Sequence, residues 1–480
     1  MIVDWSRGGP EVLVALDRTG PPLSGQLQDQ LRSAIRDGRL AAGERLPSTR
    51  RLSEQLRVSR GTVVEVYEQL LAEGYLDATV GSGTRVAEVV GTESHRSSPI
   101  KAAASAPGPA VDFEYGIPDL GSFPLTDWIW ALSAATRSLP TAHLGDEKPG
   151  GSSHLREVVT AYHRRVRAGC AVADDTVVVS GFRQGLVFAL AALSSQGIEC
   201  VALEDPGPRG HDVIALRAGL EVVPVPVDDE GLDVGRLRET TARAVLVTPA
   251  HQCPTGVALS PSRRQQLVTW ANEVDGVILE DDYDAEFRYD RHPIGSLQGL
   301  DAERVIALGS VSKTLAPAIK LGWVLAPPRF LEGIIEEKQL SSRGAPALDQ
   351  EALALLMESG RFDRHLRRVK EVYRARRDVL AAEVAATFGA DRLLGLAAGC
   401  HALLPLPDGV SEEAVEEAAR SLSVNVNGLG RYRLTGGDVP QPPGLVLGFG
   451  NVTEHQIRRG VRALAEAARQ SGVANLSCDP

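Results

Sequence analysis

The side chain best placed for covalent chemistry is that of Lys313, in the segment Ser310–Gly322, which directly follows a predicted apolar strand. A lysine held at a strand end, in a crevice away from water, can attack an aldehyde. A second predicted strand, Val277–Glu280, runs into Asp281. Tyr283 stands two residues farther, on the same side of an extended chain. The acid suits a cationic ring nitrogen and the phenol suits a ring oxygen, so the three side chains predict a site for an aromatic aldehyde.

A phosphate site is predicted at the turn Val179–Leu186, which follows another apolar strand and opens a helix. The backbone amides and positive dipole end of a helix N-terminus attract phosphate. Ser310 adds a hydroxyl and Lys320 adds a charge. An amine, an acid, a ring-oxygen donor and a phosphate cradle are the parts that pyridoxal 5'-phosphate (PLP) requires, so PLP is the predicted cofactor. The predicted cofactor-binding residues are Lys313, Asp281, Tyr283, Gly181, Phe182, Arg183, Ser310 and Lys320.

Basic charge is concentrated near the N-terminus of a chain whose formal net charge is −11. The stretch from Leu31 to Arg60 has eight arginines against three acids. Apolar residues recur at helical spacing in three segments here, and Tyr75–Val86 has the pattern of two short strands around a glycine turn. Three helices and a hairpin predict a winged helix-turn-helix, whose third helix begins after the capping residue Ser59 and enters the major groove of DNA. The predicted DNA contacts are Arg50, Ser59, Arg60, Thr62 and Gly81.

The chain divides into three predicted regions by composition. Residues 1–87 form the winged helix-turn-helix domain. Residues 88–110 are rich in Ala, Ser, Pro and Gly without periodicity, which predicts a flexible linker. From residue 111 to 480, apolar runs alternate with helical stretches, which predicts an α/β domain with a mostly parallel sheet, followed by a small C-terminal α+β subdomain. The charged segment Phe362–Val384 is predicted to be a long exposed helix.

Several longer motifs resemble known families. The runs Gly43–Leu52, Val58–Val63 and Leu70–Leu76 are similar to the GntR class of bacterial regulators. HQCPTG at 251–256, EDDYDAEF at 280–287 and GSVSKTLAPAIKLGW at 309–323 resemble fold type I aminotransferases. Their order matches the MocR (GabR-like) subfamily of GntR regulators over nearly the whole chain.

That resemblance implies a homodimeric transcription regulator that binds double-stranded operator DNA and senses a small-molecule effector. The effector is PLP itself or an amino compound that reacts with the PLP held by Lys313. A working aminotransferase with an attached DNA-binding domain is the alternative function. A DNA-binding dimer whose cofactor site is vestigial is a third.

Departures from the family pattern favour sensing over turnover. Cys253 stands where aminotransferases commonly have Asn, so a hydrogen bond to the cofactor ring is either missing or made by Gln252. Pro208 replaces a usual Tyr, and Leu144-Gly145-Asp146 replaces Tyr-Gly-Asp. Loss of two aromatic contacts loosens cofactor or substrate binding and leaves the lysine chemistry in place.

A substrate carboxylate is expected to bind an arginine, because the guanidinium fork bonds two oxygens at once. Arg431 resembles the C-terminal carboxylate arginine of the family, with Arg433 and Arg209 as rivals. His251 either lines the site or is held by backbone carbonyls.

Other features of the composition narrow the class of protein. No apolar run is long enough to span a membrane, and the N-terminus lacks a secretory pattern, so a cytoplasmic protein without a membrane partner is expected. The five cysteines show no paired spacing, so no metal site is predicted.

Overall fold

The computed structural model describes residues 14–79, 83–87, 108–145, 148–289, 294–342, 344–435 and 442–472. The chain divides into two compact units, Met1–Pro107 and Gly108–Pro480. Most of the predicted linker, residues 88–107, lies outside the described residues. Across the described ranges, no helix has both the length and the apolar character needed to cross a bilayer.

The first unit is a three-helix domain with a two-stranded antiparallel wing. Ser48 and Ser59 cap the second and third helices by accepting hydrogen bonds from the backbone amides of Arg51 and Thr62. The cap at Ser59 was expected from the sequence, because a serine hydroxyl satisfies an amide that the first helical turn leaves free. Val63, Val66, Tyr67 and Leu70 form the buried face of the third helix. The elements are α1 (Leu23–Arg36), α2 (Thr49–Leu56), α3 (Arg60–Ala72), β1 (Leu76–Thr79) and β2 (Gly83–Val86).

The second unit is built on an eight-stranded sheet in the order β4-β11-β10-β9-β8-β5-β6-β7. The central strands are parallel, whereas β11 is antiparallel to both of its neighbours and β7 is antiparallel to β6. This confirms the predicted mostly parallel α/β sheet. The strands are β4 (Thr176–Val179), β5 (Cys200–Asp205), β6 (Glu221–Asp228), β7 (Gly231–Leu232), β8 (Ala244–Val247), β9 (Val277–Asp281), β10 (Val305–Ser310) and β11 (Gly322–Leu325).

Helices cover both faces of this sheet, which explains why its central strands are continuous apolar runs rather than alternating ones. One face packs against α6 and α10, and the other against helices that include α5, α9 and α11. The helices of this layer are α4 (Leu125–Ser138), α5 (Ser153–Arg167), α6 (Phe182–Ser195), α7 (His211–Arg217), α8 (Val234–Arg238), α9 (Pro261–Glu273), α10 (Pro328–Ser341) and α11 (Ala347–Glu358).

A smaller α+β subdomain follows, as the sequence predicted, with the antiparallel sheet β12-β15-β14 against three helices. The first strand of the unit, β3 (Val111–Asp112), pairs in parallel with β13 of this subdomain. The start of the second unit is therefore hydrogen-bonded to its C-terminal part. The elements are α12 (Arg361–Phe388), β12 (His401–Pro405), α13 (Glu412–Ser421), β13 (Val424–Asn425), β14 (Asn427–Gly428), β15 (Gly444–Gly448) and α14 (Glu454–Gln470).

Helix α12 corrects one prediction. The charged segment Phe362–Val384 is indeed helical, but the helix is not simply exposed, because one face of it is buried. Val369, Tyr373 and Leu380 recur at helical spacing on that face and enter the core of the subdomain. The high density of arginine on the other face masks this apolar stripe when the segment is judged by its composition.

Helix α14 packs closely against the chain around β3 at Gly460. A Cβ at this position would lie 2.5 Å from Cε2 of the buried Phe113 ring. We expect the clash of Gly460→Ala to lower the free energy of unfolding of the second unit by about 1–3 kcal/mol. The higher helix propensity of alanine offsets roughly 0.5–1 kcal/mol of this loss. Thermal unfolding followed by circular dichroism measures the change. Gly25→Ala is the control, because no atom lies within 4 Å of a Cβ built there. If Gly25→Ala lowered the melting temperature as much as Gly460→Ala, the packing argument would be contradicted.

Candidate functional site

A cavity lies at the carboxyl ends of β4, β9 and β10, where ligands bind in open parallel sheets. Its volume is about 800 Å³. The nine residues predicted from the sequence to bind cofactor or substrate all line this cavity, although they come from widely separated parts of the chain. They are Gly181, Phe182, Arg183, Asp281, Tyr283, Ser310, Lys313, Lys320 and Arg431.

Asp281 ends β9 and is buried in the wall of the cavity, with 6% of its surface exposed. Its Oδ1 atom has no hydrogen-bond partner in the described part of the chain. Burial raises the pKa of Asp281 well above its usual range, and the neighbouring carboxyls of Asp282 and Asp284 raise it further. A buried carboxyl without a donor is costly, and a nearby cationic N–H group would satisfy it and favour its charged form.

Lys313 reaches the cavity from the segment after β10. Its Nζ donates a hydrogen bond to the carbonyl oxygen of Gly116 and lies 5.8 Å from the centroid of the Tyr115 ring. Gly116 has a φ of +85°, and a Cβ at this position would lie 2.9 Å from Nζ. Glycine therefore allows the backbone to approach the amine closely.

Sequence reasoning missed Tyr115 and Gly116, which line the cavity. They lie in an irregular segment between β3 and α4, outside any strand or helix. The available signal was a tyrosine followed by a glycine in a stretch without periodicity, and that pattern is too common to single out a site.

The phosphate turn connects β4 to α6. Gly181 precedes the first residue of α6 with a φ of +99°, and no side chain caps the helix. The amides of the first turn, from Phe182 and Arg183, are therefore open to an anion. Ser310 and Lys320 line the same cavity, and Lys320 lies at the end of the short turn after Lys313.

These features fit PLP. A buried acid lacks a donor, an amine lies in the same cavity, and an uncapped helix N-terminus opens toward it. PLP offers one group to each, namely a ring nitrogen, an aldehyde and a phosphate.

Tyr283 lies in the cavity wall, but its hydroxyl group is already engaged. Its Oη donates to the carbonyl oxygen of His251 over 2.7 Å. Burial raises the pKa of Tyr283 well above its usual range, and the charge of Asp284 adds to the effect. Because a phenol has one proton to donate, the expected donation to a ring oxygen would require that proton to leave His251.

Gln252, in the segment after β8, was expected from the sequence as a possible hydrogen-bond donor to the cofactor ring. Its side-chain amide nitrogen donates to the carbonyl oxygens of Pro206 and Cys253, and its oxygen accepts from Thr255. Gln252 is buried and does not line the cavity. It therefore does not replace the asparagine that Cys253 displaces.

His251 is not held by backbone carbonyls. Its Nδ1 lies 2.9 Å from Oδ2 of Asp284, and both side chains are buried. Neither His251 nor Asp284 lines the cavity. Both alternatives from the sequence, a His251 that lines the site and a His251 held by backbone carbonyls, therefore differ from the observed position.

The three candidate carboxylate arginines, Arg431, Arg433 and Arg209, all line the cavity. Arg431 forms an ion pair with the buried carboxylate of Glu416 on α13, which neutralises its charge. The guanidinium of Arg183 donates to the carbonyl oxygen of Arg209. The lining of the cavity is thus rich in arginine, and geometry does not single out Arg431.

The DNA-binding candidates lie in the first unit around the start of α3. Arg60 is exposed at the first helical position, and Thr62 is half-buried. The Ser59 hydroxyl contacts both the amide and the hydroxyl of Thr62, so it serves the helix cap. Arg50 is exposed on α2 and pairs with Glu54. The predicted contact Gly81 lies outside the described residues.

Two family models match the chain, one for each unit. The model of bacterial regulatory proteins of the gntR family matches residues 23–86. The model of aminotransferase class I and II matches residues 118–440.

Related regulators match both units, and a solved aminotransferase matches the second. The probable rhizopine catabolism regulatory protein MocR of Rhizobium meliloti is 31% identical over 95% of this chain and 96% of that protein. The pyridoxine biosynthesis transcriptional regulator PdxR of Corynebacterium glutamicum is 32% identical over 92% of this chain and 95% of that protein. The α-aminoadipate aminotransferase LysN of Thermus thermophilus superposes with a TM-score of 0.68 at 25% identity, over 76% of this chain and 93% of that chain.

These matches extend over nearly the full length of the related regulators and include both the helix-turn-helix and the cofactor domain. The aminotransferase fold brings with it the PLP site that the cavity residues fit. The chain therefore belongs to the MocR subfamily of GntR proteins and is a PLP-dependent, DNA-binding transcription regulator.

Proposed function

We propose that the chain is a cytoplasmic homodimer that binds double-stranded operator DNA through residues 1–87. Residues 111–480 sense PLP or an amino compound, and residues 88–110 are a flexible linker between the two. Two subunits would present paired winged helices to two half-sites of an operator. The observation that carries the sensing role is the cavity in which Lys313 and the unpartnered acid Asp281 occur together.

Each residue of the cavity has a proposed part in holding the cofactor. Asp281 accepts a hydrogen bond from the ring nitrogen and balances its charge. PLP, when bound, supplies an aldehyde that condenses reversibly with a primary amine. Lys313 provides that amine, and Tyr283 stands beside the ring as a hydrogen-bonding group. The phosphate ligands are the first-turn amides at Gly181, Phe182 and Arg183, together with the side chains of Ser310 and Lys320.

The arginines that line the cavity support an effector with an anionic group. Arg183, Arg209 and Arg433 line the cavity together with Arg431. We propose Arg431 as the carboxylate ligand, and its ion pair with Glu416 means that an incoming carboxylate competes with a buried one. That competition weakens substrate binding and is consistent with sensing rather than with rapid turnover.

DNA binding is proposed to use the exposed start of α3. Arg60 has no side-chain partner in the described part of the first unit, so its guanidinium is free to bond a base edge or a phosphate. Arg50 and Thr62 would contact the backbone beside it, and Ser59 would act mainly through the helix cap. The DNA contact at Gly81 is proposed from the sequence alone.

Lys313→Ala is expected to abolish the visible absorbance that PLP acquires when it is bonded to a lysine. Lys313 is not a member of any core cluster, although Val311 and Leu315 beside it are, so the circular dichroism spectrum should stay unchanged. Absorbance spectroscopy of the purified protein with added PLP measures the band. Lys320→Ala is the comparison variant, because that lysine lines the same cavity as a proposed phosphate ligand. It should weaken PLP binding but keep the band when PLP is saturating. If the band survives in Lys313→Ala and disappears in Lys320→Ala, the roles of the two lysines are reversed.

Arg60→Ala is expected to weaken specific operator binding by about 1–3 kcal/mol per half-site, the usual contribution of one good base contact. Fluorescence anisotropy with labelled operator at fixed salt measures the affinity. Arg39→Ala is the control, since it removes an exposed arginine of the same unit that lies outside the predicted DNA contacts and pairs with Asp37. Unchanged affinity in Arg60→Ala would remove this residue from the interface.

Operator and effector are expected to alter each other's affinity by the same factor, because binding free energies are reciprocal. Couplings of about 1–3 kcal/mol are typical of regulators. The affinity of PLP, measured with and without operator in one buffer, gives one side of the cycle, and operator affinity with and without PLP gives the other. Two independent affinities would mean that the domains are merely tethered and that the proposed regulation is wrong.

A further inference from the structure

His251 and Asp284 form a buried pair behind the wall of the cavity. Nδ1 of the imidazole lies 2.9 Å from Oδ2 of the carboxylate, and each side chain is only 1% exposed. A carboxylate accepts hydrogen bonds, so its contact fixes the ring proton on Nδ1 and fixes the plane of the ring. A buried pair of this kind is stable only while its geometry is kept, since losing one partner leaves the other without a hydrogen bond.

Close packing around the pair prevents either side chain from moving alone. Gly399 passes so near that a Cβ there would collide with Oδ2 of Asp284 and Nδ1 of His251. A Cβ at Gly256 would lie 3.3 Å from Nε2 of His251. The ring of His401 covers His251 with a centroid distance of 4.5 Å. The pair is therefore a rigid unit.

Tyr283 is tied to both members of this unit. It precedes Asp284 directly in the chain, and its Oη donates to the backbone carbonyl of His251 over 2.7 Å. The same Oη lies 3.5 Å from Nδ1 of His251. Asp284 is thus joined to Tyr283 through the backbone. The main chain of His251 accepts the hydrogen bond of the Tyr283 hydroxyl, and the imidazole lies next to that hydroxyl. Of the three residues, Tyr283 alone lines the cavity.

We propose that His251 and Asp284 are positioning residues, which hold the Tyr283 hydroxyl beside the cofactor and act on the cofactor only through it. The inference rests on the proposed function, because it takes the cavity to be the PLP site. It assigns a task to a histidine and an acid that do not touch the cavity. Supporting groups of this kind commonly decide how well the residue in contact with a ligand is oriented.

A metal ion is the competing interpretation of the cluster. One ligand atom each from His251, Asp284 and His401 lie within 4.8 Å of one another. The two nitrogens of His401 have no hydrogen-bond partner in the described part of the chain. Positioning is favoured, because Nδ1 and Oδ2 already satisfy each other and the backbone of Gly399 closes one side of their contact. Metal analysis of the purified protein decides between the two.

A double-mutant cycle on the full chain tests the proposal. Asp284→Ala and His251→Ala are made in the wild type and in Tyr283→Phe, and the dissociation constant of PLP is measured together with the pH titration of its visible band. We expect each alanine variant to weaken PLP binding about tenfold in the wild type, the effect of one lost hydrogen bond, and to shift the titration midpoint. In Tyr283→Phe the same changes should alter affinity by less than about twofold, because coupled residues are not additive.

Asp284→Asn and His251→Asn keep a hydrogen-bonding group at each position and should restore most of the affinity and of the titration midpoint. They also carry the test if the alanine variants do not fold. Glu351→Ala is the matched control, since it removes another carboxylate from a histidine, His154, at 3.0 Å but outside the cavity. Its PLP affinity should match the wild type.

The outcomes separate the positioning role from the function on which it rests. No visible band in the wild-type protein would overturn the proposed function itself. A normal band with equal losses in the wild-type and Tyr283→Phe backgrounds would overturn the positioning role alone, as would unchanged affinity and titration in the alanine variants. One equivalent of a transition metal, absent from His401→Ala, would replace the positioning role with a metal site.

Discussion

The unsatisfied carboxyl of Asp281 is the constraint around which the second unit is organised. A buried acid whose oxygen meets no donor in the described residues costs free energy, and burial together with neighbouring acids raises its pKa. A buried carboxyl without a donor is tolerated where a bound ligand donates the missing hydrogen bond. Under the proposed function, the cofactor would supply a hydrogen-bond donor that Asp281 lacks among the described residues.

The parallel sheet explains why distant parts of the chain can serve that ligand. Strands β4, β9 and β10 are far apart in sequence, yet they point in the same direction, and the segments that follow them meet at one edge of the sheet. Helices on both faces bury the strands, so the edge at their carboxyl ends is where polar groups can gather. The lysine, the acid and the phosphate turn each follow directly from a buried strand.

The residues that follow strands could be predicted because their signal is local. An apolar run followed by Asp281, or by a turn with Gly181, can be recognised without knowing what lies opposite. Pairings across the fold could not be predicted in this way. Gln252 was a candidate for the cofactor ring until the structure showed its amide bonded to Pro206, and the ion pair of Arg431 depends on Glu416 from another element. Contacts between residues that are distant in the chain leave no local pattern in the sequence.

The contact between Lys313 and Gly116 also connects the cavity to the beginning of the unit. Gly116 stands six positions after Ala110, the last residue of the proposed linker, and β3 lies between them. Under the proposed function, a Lys313 amine that had bonded to PLP would have fewer protons to donate than an ammonium group, and its hydrogen bond to the Gly116 carbonyl would change. The proposed function would then place the carbonyl that senses a filled site only six residues after the end of the proposed linker to the DNA-binding domain.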